Sequence, residues 1–184
     1  MKRLVYLISM VFILLSCASS KNATQAEIDN LKALIESKSF EVEAEWAEPM
    51  VTNAMTQIAN AGLLPIGSNV GNINLVGNRN FFRMKKDTVA AYLPYFGERQ
   101  MGGSYGGTDI GIEFEGVPKN LVVSEDKENS YKISFKIKDK NTTTENYNVI
   151  VRVYPSLSST IYVNSSQKNS IRYRGKVLKI SEEK

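Results

Sequence analysis

Apolar and polar residues alternate with a period of two through most of this chain. Phe40, Val42, Ala44 and Trp46 interleave with Glu41, Glu43 and Glu45. Tyr131, Ile133, Phe135 and Ile137 interleave with Lys132, Ser134, Lys136 and Lys138, and Tyr147, Val149, Val151 and Val153 follow after a polar turn at 139–146. Successive strand side chains point to opposite faces, so each run predicts a strand with one buried and one wet face. Shorter runs at 72–76, 81–85, 89–93, 110–115, 121–124, 160–163 and 170–180 are separated by turn formers such as Gly77-Asn78 and Lys86-Asp87. Gly175 marks a bulge or bend within the last run. About ten short strands without strand–helix alternation predict an all-β fold with a short N-terminal helix. Antiparallel sandwich and partly open barrel both satisfy that pattern.

Helical spacing appears in two places. Thr24-Gln25-Ala26-Glu27 has the form of a capping box, and Ile28, Leu31, Leu34 and Ile35 share one helical face behind it. The segment 24–38 is therefore an amphipathic helix preceding a single β-rich domain at 39–184. Met50, Val51, Ala54, Met55, Ile58 and Ala59 also recur at helical intervals before Gly62 and Pro65, which fits a short helix or a lid.

The N-terminus has a different character. Lys2-Arg3 precedes an apolar run from Leu4 to Leu15, broken only by Ser9, and Leu14-Leu15-Ser16-Cys17 follows. A basic start, a short apolar core and a small residue before cysteine define a bacterial lipoprotein signal at 1–16. Cys17 is then the acylated first residue, and 17–23 is a lipidated tether. Each buried acyl CH₂ contributes about 0.8 kcal/mol, so several chains would hold the protein on a membrane permanently.

Composition narrows the chemistry. The chain has no histidine, and Cys17 is its one cysteine. Serine or cysteine nucleophiles activated by histidine, Cys/His zinc sites and intrachain disulfides are thereby excluded. Of the formal net charge of +4, Lys2 and Arg3 of the leader supply half. The remaining surplus is too small for a nucleic-acid partner. No cofactor, metal site or catalytic residue is expected. Glu41, Glu43 and Glu45 lie about 7 Å apart along a strand and read as a solvated row rather than a calcium site. An acid-catalysed hydrolase would have to use Asp109 or Glu113 with a tyrosine.

The most distinctive passage is Leu93-Pro94-Tyr95-Phe96-Gly97, leading through Gly102-Gly103-Ser104-Tyr105-Gly106-Gly107 to the next strand. Pro94 lacks a donor and should end a ladder, and the glycines allow close backbone approach. With strands on both sides, this loop is read as joining two halves of one domain. Tyr95, Phe96, Arg99 and Tyr105 are the candidate contacts with a ligand or partner. Tyr95 and Phe96 also suit packing, whereas Tyr105 among glycines suits contact. Lys132, Lys136, Lys138, Arg152, Arg172, Arg174 and Lys176 fall on polar strand faces and form either a basic docking face or a guard against aggregation. Asp87-Thr88-Val89 resembles a bacterial O-glycosylation acceptor, with Thr88 as the modified residue.

Asp87-Thr88-Val89-Ala90-Ala91-Tyr92-Leu93-Pro94-Tyr95-Phe96-Gly97, then Gly111-Ile112-Glu113-Phe114 and Ile171-Arg172-Tyr173-Arg174-Gly175, together resemble the domain of unknown function 4251 family over about 40–180. The chain departs from the family pattern at Glu98-Arg99-Gln100-Met101 and in a Met/Ala-rich segment at 50–65. The resemblance implies a Bacteroidetes-type lipoprotein with no assigned activity. Since no acidic cluster follows Cys17, an outer-membrane lipoprotein facing the periplasm is expected. Its partners would be the membrane, through the acyl chains on Cys17, and an envelope protein, glycan or lipid. The expected role is a non-enzymatic binding or interaction module; the alternative is a carrier holding a small apolar ligand in a barrel cavity.

Overall fold

In the computed structural model, residues 23–101, 111–142 and 144–180 are described. Cys17, Tyr105 and Asp109 lie outside them. Helix α1 (Gln25–Ser37) opens with the expected capping box: the Glu27 N–H donates to Thr24 Oγ1 at 3.3 Å, and the Thr24 N–H donates to Glu27 Oε2 at 2.7 Å. Leu31, Leu34 and Ile35 are its buried face.

Ten strands follow: β1 (Ser39–Pro49), β2 (Ile73–Asn74), β3 (Phe81–Lys85), β4 (Thr88–Pro94), β5 (Gly111–Gly116), β6 (Lys119–Glu125), β7 (Tyr131–Lys138), β8 (Asn146–Val153), β9 (Ser158–Ser165) and β10 (Ile171–Lys179). A second helix, α2 (Asn53–Asn60), lies between β1 and β2 and starts on a Thr52 cap. All strands belong to one antiparallel sheet in the order β5-β4-β3-β1-β10-β9-β8-β7-β6, with β2 on β1. The sheet is curled into a half-barrel, so of the two architectures the pattern allowed, the partly open barrel is the one formed.

The curl follows from a short link. The strands at the two ends of this order, β5 and β6, are consecutive in sequence and separated only by Val117-Pro118. Gly116 and Lys119 therefore lie within roughly 11 Å of each other. The Lys140 N–H donates to the Glu113 carbonyl at 2.9 Å, Lys119 pairs with Lys136, and Glu125 pairs with Tyr131. These positions form one antiparallel progression, so β5 and β6 are successive halves of a single path, the first held by β4 and the second by β7.

The interior is filled by rings. Phe82 lies 6.3 Å from Phe40 and 6.0 Å from Phe135, and Phe114 lies 5.9 Å from Phe135 and 6.0 Å from Tyr147. Edge-to-face and offset pairs at these spacings add to the burial energy of each ring.

Three expectations need correction. Trp46 was placed on the inward face of β1. A bulge at Glu45 shifts the register between Ala44 and Trp46, so Ala47 is buried and Trp46 is displaced from the core face. The partner of the bulge is Gly175 on β10, where a Cβ would come within 2.0 Å of the Glu43 carbonyl oxygen. The expected strand at 72–76 is reduced to Ile73–Asn74, which pair with Ala47 and Trp46, with the Leu75 N–H donating to the Glu45 carbonyl at 2.9 Å beyond them. The glycine-rich loop does not join two halves of the domain: β4 and β5, which flank it, pair directly from Val89–Gly116 to Pro94–Gly111.

Where β1 parts from β3, Asn80 takes over as partner. Its side chain accepts from the Ala44 N–H at 2.9 Å and donates to the Ala44 carbonyl at 3.0 Å, imitating a strand inside the core.

Candidate functional site

Two features stand out among the described residues. The first is a groove of about 800 Å³ on the outward face of β3, β4 and β5. Antiparallel register sets its rows: Phe81 is opposite Tyr92 and Tyr92 opposite Glu113, while Arg83 is opposite Ala90 and Ala90 opposite Glu115. Because Ala90 carries only a methyl group, the middle of the second row is hollow. Tyr92 remains 45% exposed beside it. Arg79 and Arg83 line one side, and Glu113, Glu115 and Lys140 the other.

The walls are held by ion pairs and a polar turn. Arg83 reaches Glu41 at 2.7 Å, and its guanidinium carbon is 5.0 Å from the Phe81 ring centroid. Lys140 donates to Glu115 at 2.8 Å, which lowers the carboxyl pKa and raises that of the amine. Asp139 Oδ1 accepts from the backbone N–H groups of Asn141 and Thr142, fixing the turn that carries Lys140. Asn141 Nδ2 donates to Glu113 at 3.3 Å.

The second feature is a buried polar network between Arg99 and Gly111, on either side of the glycine-rich segment. Glu145 is 1% exposed and Lys168 6%. Lys168 Nζ lies 3.3 Å from Glu145 Oε1, donates to the Gly111 carbonyl at 2.9 Å, and sits 5.6 Å and 5.8 Å from the Tyr95 and Tyr147 ring centroids. Glu145 Oε2 accepts from Arg99 at 2.9 Å, and Glu145 Oε1 from the Ser165 hydroxyl at 2.6 Å. Buried charges persist only where pairing and hydrogen bonds offset desolvation, and here Arg99, Lys168 and Ser165 all meet the Glu145 carboxylate. The network ties both flanks of the glycine-rich loop to the turns after β7 and β9.

The candidate contacts proposed from sequence are distributed unevenly over this site. Tyr95 is buried; its hydroxyl lies 3.0 Å from the Glu98 carbonyl and 3.2 Å from that of Asn169, to which it donates. Burial pushes its pKa up to about 12. Phe96 is half-buried against the core. Arg99 belongs to the Glu145 network. Thr88 is exposed at the start of β4, its hydroxyl donating to the Lys85 carbonyl at 2.8 Å.

Of the glutamates read as a solvated row, Glu41 and Glu45 are in fact paired. Glu41 holds Arg83, Glu45 holds Lys176 at 2.6 Å, and Glu48 is shared by Arg172 and Arg174. Three of the seven residues of the supposed basic face, Arg172, Arg174 and Lys176, are thus paired with β1, and Arg152 with Asp126 at 3.0 Å. Glu145 and Lys168 were not found from sequence, since each stands in a polar turn with no apolar neighbours to signal burial. The outward position of Tyr92 was available from the alternation of β4. No helix among the described residues is long and apolar enough to cross a membrane.

The sequence model of a domain of unknown function, DUF4251, matches residues 22–177 of this chain. The crystal structure of a DUF4251 family protein from Bacteroides eggerthii DSM 20697 is similar with a TM-score of 0.53 and 14% identity, covering 84% of this chain and 88% of that one. At that identity the likeness concerns the fold. No curated protein matches the chain.

Proposed function

Since the chain belongs to the DUF4251 family, a family without an assigned activity, we propose its role from its own residues: a lipid-anchored envelope protein that works as a non-enzymatic binding module. The observation that carries this reading is the outward groove. It is open, contains an exposed aromatic, and has as its floor β4, which is paired along both sides, so it is preformed rather than assembled on contact. The anchor rests on Lys2-Arg3, the apolar run and Leu14-Leu15-Ser16-Cys17. The run Ala18-Ser19-Ser20-Lys21-Asn22 carries no acidic cluster, which favours the periplasmic side of the outer membrane. Thr88, exposed after Asp87, is available for glycosylation.

The apolar-carrier alternative is disfavoured, because rings 5.9–6.5 Å apart occupy the space such a ligand would need. A hydrolytic role is disfavoured as well: Glu113 is engaged by Asn141, and the chain contains no histidine to serve as base.

The test is fractionation of cells producing wild-type protein and Cys17→Ser, followed by photocrosslinking from position 92. Wild type should enter the detergent phase and Cys17→Ser the soluble fraction, and position 92 should capture an envelope component. Membrane retention of Cys17→Ser overturns the anchor; an uncaptured position 92 overturns the binding role.

A further inference from the structure

We infer that the groove on β3, β4 and β5 takes a neutral, hydroxyl-rich ligand, a segment of saccharide chain; this rests on reading the groove as the binding surface. Three properties select that class.

Charge is the first. The groove is lined by three cations, Arg79, Arg83 and Lys140, and two carboxylates, Glu113 and Glu115; Glu41, outside the lining, pairs with Arg83 at 2.7 Å, and Lys140 pairs with Glu115 at 2.8 Å. Such a rim projects little net field, so it neither attracts an anionic polymer nor a cationic one. Its groups still have valence to spare. An ionised carboxylate offers about four acceptor sites and a guanidinium five donors, and only some are used here. Hydroxyl groups, which donate and accept at once, can use both kinds.

Shape is the second. Tyr92, exposed beside the hollow above Ala90 and next to Pro94, offers a flat apolar surface flanked by those polar groups. A pyranose has the matching form: an apolar C–H face for the ring and hydroxyls around its equator. The groove is open rather than closed over, so it admits an internal stretch of a longer chain.

The third is the backbone. A polypeptide lying along a sheet gains affinity by adding a strand to a free edge. The floor of this groove is β4, which is bonded to β3 through Phe81–Lys85 and to β5 through Gly111–Gly116. It has no unused ladder to offer, the edge of β5 beyond it already takes the Lys140 N–H at the Glu113 carbonyl, and a saccharide needs no ladder.

The decisive experiment immobilises the full-length acylated protein in detergent micelles. It is probed with labelled neutral oligosaccharides (glucan, mannan, xylan and N-acetylglucosamine oligomers), with a sulfated glycan and with a mixed peptide library. At least one neutral oligosaccharide should be retained. Tyr92→Ala should weaken that retention roughly tenfold while Tyr92→Phe preserves it, and Arg79→Ala should weaken it too. Thermal melting should be the same for all four proteins, because both side chains are exposed. Failure to retain any neutral oligosaccharide overturns the assignment, as does equal retention by Tyr92→Ala. Retention of the sulfated glycan or peptides alone, lost in Tyr92→Ala, overturns the saccharide class while leaving the groove as a binding surface. Retention of no probe, together with an uncaptured position 92 in cells, removes both.

Discussion

Lys168 and Glu145 form an ion pair at 3.3 Å with side chains 5% and 1% exposed, held between Arg99 and the Gly111 carbonyl. Neither charge is placed there to stabilise the fold by attraction, because desolvation of two ions offsets most of the Coulomb gain. The pair is instead committed: once both groups are buried, neither can be removed alone. Glu145→Gln should therefore destabilise by about 3–5 kcal/mol, leaving Lys168 and Arg99 without their carboxylate. The double variant Glu145→Gln/Lys168→Met should recover part of that loss. Urea denaturation of the three proteins measures both effects, and equal stability of the single and double variants would contradict the argument.

Gly175 faces the bulge in β1, and the Glu43 carbonyl oxygen occupies the place of its missing Cβ. Gly175→Ala should cost more than about 2 kcal/mol, since backbone rather than a flexible side chain must move. Gly77→Ala tests a different quantity. That glycine has φ +86° with open space around it, so its penalty is backbone strain alone, about 1 kcal/mol. Melting temperatures should fall in that order.

Asn80 closes the gap left where β1 parts from β3. Asn80→Ala would strand the Ala44 N–H and carbonyl in the core, a loss of about 1–3 kcal/mol. Asn80→Asp keeps the acceptor and forfeits the donor, so it should also destabilise. Hydrogen exchange at Ala44 reports the change directly: its amide should be protected in wild type and exchange faster in Asn80→Ala.

Alkaline pH should unfold the protein through its buried phenols. Burial raises Tyr95 to about 12, and lifts Tyr147 and Tyr173 above the ordinary tyrosine range. Between about pH 10 and 12 the unfolded chain has lost protons that the folded chain retains, so stability falls as pH rises through that interval. The contribution is fully present below about pH 10. Absorbance titration should show exposed tyrosines ionising first and these three only with unfolding; early ionisation of all nine tyrosines would refute it.

The fold was legible wherever local pattern and tertiary environment agree. The alternation through β7 and β8 and the Thr24–Glu27 capping box needed no knowledge of neighbours. Trp46 was misplaced because a bulge depends on what lies across the ladder, and the glycine that permits it is far along the chain. The site was less legible for the same reason. Tyr92, Arg83, Glu113 and Glu115 come from three strands and acquire meaning only in register. Glu145 and Lys168 look like ordinary turn residues until the fold brings Arg99 and Gly111 against them.

The first strand pairs with the last: Phe40 lies opposite Lys179, and Pro49 opposite Ile171. The sheet therefore cannot close while the chain is still being made, because the central ladder awaits the final segment. A polypeptide with such long-range pairing folds slowly and late. Until β10 is in place, β1 has only β2 and β3 to hold it, so the seam between β1 and β10 is the last ladder of the sheet to form.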